Sequence, residues 1–292
     1  MTRKRSPKRP KRRPVRRRAA PEIHYPLDSS DRERRRLVLQ AELLRGITLD
    51  TFRAAGLAPG MRVLDIGSGA GDVALLAAEL VGEQGSVLGI DRDEHNLAFA
   101  QRRAAEAGRK NVTFRHLEIS SFAGKNLFDA VIGRYILLYL PEPAAVLRQL
   151  AAALAPGGIV AFVEPDFSTP ARSHPPAPLY QKACGWIYAV VEASNMHRDT
   201  AAGLGKYFVE AGLPFPQLHC RPWIGGGPGS AIYEYVAETV RSLLPSAARH
   251  GIIPPREAAQ MDSLAQRMER EAVSSRSTLI GCPVIGAWTT LA

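Results

Sequence analysis

The sequence predicts a doubly wound α/β fold with a mostly parallel sheet, and three observations carry the prediction. Strand and helix patterns alternate from about residue 61 to residue 165. The strands read as apolar runs without polar interruption, such as Ala130-Val131-Ile132 and Ile159 to Val163, which implies burial on both faces. The first of them ends in a glycine turn that opens a helix.

In chain order, Ser30 followed by Glu33 has the spacing of a capping box, and Leu37, Leu39, Leu43 and Leu44 then recur at roughly helical spacing, so a first helix is expected over Asp31 to Arg45. A second, Leu49 to Ala55, ends at Gly56, and Pro59-Gly60 turns the chain into a buried strand, Met61 to Ile66. There follow a helix Asp72–Val81, strand Ser86–Ile90, helix Asp93–Ala107, strands Val112–His116 and Phe128–Gly133, helix Pro143–Leu154 and strand Gly158–Val163. Beyond Glu164 the rhythm breaks at a cluster of prolines. Helices over Leu179–Ser194 and Ala201–Ala211, a strand around Gln217–Trp223, a helical region Ser230–Met268 and an apolar run Val284–Trp288 complete the chain. The last two strands are expected to close the sheet edge, with 165–200 and 225–275 folding as a lid.

Composition narrows the function. The net charge is +10, but eleven cations precede residue 21 and no acid does, so subtracting them leaves residues 21–292 at −1. Nucleic-acid affinity is therefore a property open only to the tail, residues 1–20, which is expected to be disordered and is either a polyanion-binding arm or a solvated extension; the neutral body favours the second. No stretch reaches the length of a membrane span or resembles a signal peptide, and a soluble, cytoplasmic protein is expected. Cys184, Cys220 and Cys282 fit neither a disulfide framework nor a zinc site, and no metal is expected.

The chemistry concentrates in Val63-Leu64-Asp65-Ile66-Gly67-Ser68-Gly69-Ala70-Gly71-Asp72. Glycine is needed where the backbone takes positive φ or approaches a ligand closely, and the helix start beyond offers free N–H groups. The glycines fall at 67, 69 and 71 with an acid two residues before the first, a spacing that disfavours a dinucleotide fingerprint.

Asp65-x-Gly67-x-Gly69-x-Gly71 resembles the first motif of class I S-adenosylmethionine-dependent methyltransferases. Further matches follow in order over residues 60–165: Val87 to Arg92, His116 to Ile119, Phe128 to Tyr135, and Leu154 to Val160. The resemblance implies a Rossmann-like, seven-stranded sheet with helical cap insertions and S-adenosyl-L-methionine as cofactor. It divides the chain into the tail 1–20, helices covering the cofactor site 21–60, the cofactor-binding core 61–165, and remaining strands with cap insertions 166–292.

It also implies a cofactor-binding set of Tyr25, Asp65, Gly67, Ser68, Gly69, Gly71, Asp91, Arg92, Glu118, Ile119 and Arg134. Asp91 is expected on both ribose hydroxyls, or else as an N-cap of the next helix. Glu118 stands where relatives carry an Asp that accepts from the adenine amino group, with Ile119 against the ring; a solvated loop acid is the alternative. Arg134 holds the cofactor carboxylate or pairs with a surface acid. Tyr25 folds over the cofactor or packs outside.

The acceptor is read as a small, aromatic or apolar molecule methylated on O, N or C. Alternatives are an RNA or protein methyltransferase using the tail and a catalytically degenerate binding module; a homodimer is compatible with either. No catalytic residue is identified. If a general base is needed, His174, His197, His219, Glu164 and Asp166 are the ionisable residues expected around the mouth. Tyr180, Trp186, Tyr188, Tyr207, Phe208, Phe215, Trp223, Tyr233 and Tyr235 either line an acceptor pocket or form the cap's own core, the latter favoured for Trp186 and Phe208. The loop Gly225 to Gly229 is a gate or a plain connection.

Overall fold

The computed structural model describes residues 31–291. The tail, Tyr25 and Ser30 lie outside them. The elements are α1 (Asp31–Ala55), β1 (Arg62–Ile66), α2 (Asp72–Val81), β2 (Ser86–Asp91), α3 (Glu94–Glu106), β3 (Val112–His116), β4 (Phe128–Arg134), α4 (Pro143–Ala151), β5 (Leu154–Pro165), β6 (Arg172–His174), α5 (Pro178–Ala193), α6 (Thr200–Glu210), β7 (Gln217–Cys220), β8 (Ile224–Gly225), α7 (Ala231–Arg249), α8 (Pro255–Ala258), α9 (Leu264–Ser274), β9 (Thr278–Ile280) and β10 (Val284–Thr290).

Seven strands form one sheet in the order β3-β2-β1-β4-β5-β10-β7. All neighbours through β5 are parallel, and β10 runs antiparallel to both β5 and β7. After β1 the chain builds outward to β3 and then returns to the other side of β1 as β4. Successive connections leave in opposite directions there, which opens a crevice at the carboxyl ends of β1 and β4.

Period-two alternation fills both faces of this sheet. Val63, Ala130, Ile132, Ile159 and Ala161 pack with Phe52 of α1 and Val73, Ala74 and Ala77 of α2. Leu64, Ile66, Val131, Val160 and Phe162 point the other way, against Leu147 and Leu150 of α4 and Leu204 and Phe208 of α6. Phe162 is fully buried at the centre of that face. Phe162→Ala should cost about 3–5 kcal/mol, measured as a lower urea midpoint.

A second core lies above the crevice. Helices α5, α7 and α9 bury Tyr180, Trp186, Val190, Val236, Leu243 and Met268 together, beside the three-stranded sheet β6-β9-β8. Helix α1 packs on α7 as well as on β5 and β10, so it ties this cap to the sheet.

Three expectations are corrected. Residues 31–55 form one helix, not two: Gly46 continues it, the hydroxyls of Thr48 and Thr51 donate to the carbonyls of Leu44 and Ile47 at 2.7 Å, and a Cβ at position 46 would lie 2.8 Å from the guanidinium of Arg221, which pairs with Asp50. The capping box expected at Ser30 lies outside the described residues; Glu33 pairs with Arg36. The region 230–268 is broken after Arg249, where Gly251 (φ 63°) lets its own N–H and that of Ile252 close on Ala248 and Ala247, and Pro254-Pro255 starts a new turn. Helix α4 stops at Ala151, and Leu154 already pairs with Phe128 in the sheet, ahead of the Pro156-Gly157-Gly158 turn.

Candidate functional site

The crevice is a cleft of about 1110 Å³, larger than most small-molecule sites and so roomy enough for more than one ligand. Its floor is the glycine turn after β1. Gly67 (φ 63°), Gly69 (φ 51°) and Gly71 (φ 82°) all take the left-handed conformation. A Cβ on Gly67 would overlap Ile136, and one on Gly71 would meet Ala100 and Phe114 at 2.9 Å, so these positions require glycine for space as well as for φ.

Asp91, at the end of β2, lines the cleft and is tied to this turn. Its Oδ2 accepts the Gly69 N–H at 2.8 Å and its Oδ1 accepts the Asp93 N–H at 2.9 Å. The cap of α3 is Asp93, whose side chain accepts from the N–H groups of His95 and Asn96, so the N-cap alternative for Asp91 is set aside. Burial raises the Asp91 carboxyl, while the two backbone donors pull the other way.

Gly67, Ser68, Gly69, Arg92, Glu118, Ile119 and Arg134 also line the cleft. Asp65 and Gly71 lie behind it. Asp65 is buried, with Oδ2 unpartnered among the described residues, and burial holds its carboxyl well above the ordinary range against the pull of Arg134. Arg134 donates to the Thr48 hydroxyl at 3.3 Å, and among the described residues no carboxylate comes within ion-pairing distance of its guanidinium. The surface-acid alternative for Arg134 is thus not what the structure holds. Helix α1 contributes Arg36, Leu37 and Gln40 to the opposite wall.

Glu164 governs the loop between β4 and α4. Its Oε1 accepts the N–H groups of Ile136 and Leu137 at 2.9 and 3.0 Å, while Oε2 has no partner among the described residues. Burial pushes its carboxyl up to about 8 despite those donors, so it is mostly protonated at neutral pH. The segment it clamps carries Tyr135, held at φ 54°, together with Ile136 and Tyr139, all of which line the cleft.

A second, smaller and mainly apolar chamber of about 50 Å³ adjoins the cleft, with Arg36, Gln40, Tyr135 and Tyr139 common to both. Leu138, Phe167, Ile187, Val191, Met196, Trp223 and Val236 are among its lining.

Of the aromatics expected there, Tyr188, Trp223 and Tyr235 line the chamber. Trp186 and Tyr180 belong to the cap core, but Phe208 packs under the sheet rather than in the cap. Phe215 is 67% exposed. Tyr207 lies edge-on to His197, and the hydroxyl of Tyr233 donates to the Gly227 carbonyl. With Gly229 also held by Glu269 and Gly225 paired in the small sheet, the glycine loop is a fastened connection.

None of the five expected base candidates lines either cavity, which corrects their placement at the mouth. Glu164 clamps a loop. Asp166 accepts from the backbone of Ser168 and the hydroxyls of Ser168 and Thr169. The ring of His219 meets the Thr51 hydroxyl at 2.6 Å and stands edge-on to Trp288. His174 sits exposed on β6, and His197 is turned toward Tyr207. The missed residues are Arg36 and Gln40, whose signal was their spacing with Glu33 at i, i+3 and i+7 on one helix face.

Comparison with known proteins agrees with this geometry. A family described as "Methyltransferase domain" matches residues 57–199. The chain is 39% identical over 110 residues to aklanonic acid methyltransferase of Streptomyces sp. (strain C5), covering 37% of this chain and 50% of that protein. It is 30% identical over 183 residues to demethylmenaquinone methyltransferase of Shouchella clausii, covering 56% of this chain and 75% of that protein. The chain thus spans half the length of the first relative and three quarters of the second. The YcgJ protein of Bacillus subtilis shares the fold, with a TM-score of 0.52 at 16% identity over 85% of this chain and 100% of that one. A glycine turn ending β1, an acid ending β2, the 3-2-1-4-5 strand order and these relatives converge on one conclusion: the chain belongs to the class I S-adenosylmethionine-dependent methyltransferases.

Proposed function

We propose that the chain methylates a small aromatic or apolar molecule, with the cofactor in the cleft and the acceptor reaching from it toward the smaller apolar chamber beside it. The observation that carries this reading is the pair of cavities joined at Arg36, Gln40, Tyr135 and Tyr139, one of mixed polar and apolar lining and floored by glycine, the other mainly apolar. The residues fit the cofactor. Asp91 retains lone pairs for the ribose hydroxyls, Ile119 offers an apolar surface and Glu118 an acceptor to the adenine, and Arg134 supplies a cation for a carboxylate. The orphaned Oδ2 of Asp65 lies behind this end of the cleft.

When bound, S-adenosylmethionine supplies a methyl group already activated by its sulfonium. The protein's own work is then alignment and exclusion of water. Glu164 holds the segment that carries Tyr135 and Tyr139 to the boundary of the two cavities, and α1 lines both with Arg36 and Gln40. Among the described residues no helix is long and apolar enough to cross a membrane.

The test is transfer of a deuterated methyl group to a panel of aromatic metabolites, read by mass spectrometry. Val191 is buried in the chamber wall. Val191→Phe should fill the chamber and reduce transfer about tenfold or more, while S-adenosylhomocysteine affinity is kept. Transfer to RNA or protein, unaffected by Val191→Phe, would overturn the small-acceptor reading.

A further inference from the structure

We infer that the chain forms a two-fold dimer with a second copy of itself, in which the free edge of β7 pairs antiparallel with the same edge of the other copy.

The main sheet ends in β3 on one side and β7 on the other. An edge strand leaves backbone N–H and C=O groups unpaired, and charged side chains or proline ordinarily guard it. β3 carries the exposed Arg115, with the exposed Lys110 just before the strand. β7 carries no Lys, Arg, Asp or Glu, and its surroundings are apolar: Phe215 is 67%, Val209 54% and Leu218 46% exposed.

These three residues lie on one side of the sheet. Leu218 stands opposite Ala287 of β10, and directly opposed residues point to the same face, here the one covered by α6. The ring of Phe215 rests on α6 itself, since a Cβ at Gly205 would come within 2.8 Å of it. Val209 is one turn further along the same side of that helix.

Backbone geometry selects the register. Arg221 donates its N–H to the Val284 carbonyl of β10, so with period two the groups of His219 also face β10 and those of Leu218 and Cys220 face outward. Among the described residues no strand pairs with that outer edge. Pro216 and Pro222 hold the next outward positions and have no N–H to offer, so only a short strand fits between them. A copy of β7 turned about a two-fold axis at His219 is such a strand. Leu218 of each copy then exchanges both backbone hydrogen bonds with Cys220 of the other.

The same axis stands perpendicular to the sheet, which places both α6 helices on one face and antiparallel. Helix α6 packs over β10 and β5. With strands about 4.8 Å apart, the span from β10 across β7 and its copy to the second β10 is about 14 Å. Helices in direct contact lie about 8–10 Å apart, and Phe215 and Leu218 of the two copies fill the difference. The outer charges of α6 are self-complementary. Lys206 and Glu210, one turn apart, have side chains 69% and 52% exposed, and antiparallel helices set each Lys206 toward the other copy's Glu210. One cation beside one acid suits a second copy of this chain, not a partner of a single charge sign.

The test is analytical ultracentrifugation of the full chain at concentrations up to about 100 µM, where the wild type should dimerise with a micromolar or lower Kd. Phe215→Asp and Leu218→Asp, both at exposed positions, should weaken the dimer about tenfold or more while the thermal melt of each variant keeps its cooperativity. Lys206→Glu and Glu210→Lys should each weaken self-association about threefold or more. An equimolar mixture of those two variants should recover the wild-type strength, because each introduced charge then meets its opposite. A wild type that stays monomeric, a dimer that survives Phe215→Asp and Leu218→Asp, or a mixture no stronger than either charge variant alone would overturn the inference.

Discussion

Asp91→Ala should weaken S-adenosylhomocysteine binding by about 100-fold or more, because a charged acceptor for two ribose hydroxyls is lost at roughly 1.5–3 kcal/mol each. The same change frees the Gly69 N–H, so part of the loss reflects a loosened glycine turn. Asp91→Asn separates the two effects. It keeps an oxygen for Gly69 or Asp93 but removes the charge, and it should fall between wild type and Asp91→Ala in calorimetry. Equal affinity in all three proteins would remove Asp91 from the site.

Glu164 is expected to give the largest effect on stability. Glu164→Ala leaves the N–H groups of Ile136 and Leu137 without their acceptor, a loss of about 2–6 kcal/mol for two buried donors. Glu164→Gln keeps a carbonyl oxygen for both and should lose far less. The pH dependence has a definite sign. The folded-state carboxyl titrates near 8, above its ordinary value of 4.5, so the folded state holds the proton more tightly. Its stabilising contribution is complete below the unfolded value and is lost as pH rises from about 4.5 to about 8, at up to about 1.4 kcal/mol per pH unit. Urea midpoints of wild type should drop over that window relative to Glu164→Gln; parallel profiles would show that Glu164 is not protonated in the folded protein.

Local signals are strongest where one short segment does the whole job. The glycine turn could be read because its backbone conformation depends on residues within a few positions of one another, and each of Gly67, Gly69 and Gly71 takes positive φ. The strands of the sheet could be read because burial on both faces leaves uninterrupted apolar runs. The unity of α1 could not, since a glycine normally ends a helix and the room it makes for Arg221 involves a residue 175 positions away in the chain. The break after Arg249 did have a local signal in Gly251 and Pro254-Pro255, outweighed by the helical pattern on either side.

The site shows the same division. Residues on loops at the carboxyl ends of β1, β2 and β4 fell into the cleft together, because the parallel sheet delivers those loops to one edge. The base candidates went elsewhere because nearness in sequence to the end of β5 does not set the direction of a side chain. Glu164 pairs across to Ile136, 28 residues back, and His219 is taken up by Thr51 of α1. Arg36 and Gln40 escaped notice since polar residues on a helix ordinarily face solvent, and their burial follows only from the cap that α7 brings down on α1.

A crystal structure grown with S-adenosylhomocysteine tests the central claim most directly. The account predicts the ribose on Asp91, the adenine beside Ile119 and Glu118, the carboxylate at Arg134, and the sulfur facing the boundary formed by Tyr135, Tyr139 and Arg36. Density for the ligand outside this cleft, or within it but with Asp91 and Arg134 untouched, would contradict the assignment of the two cavities.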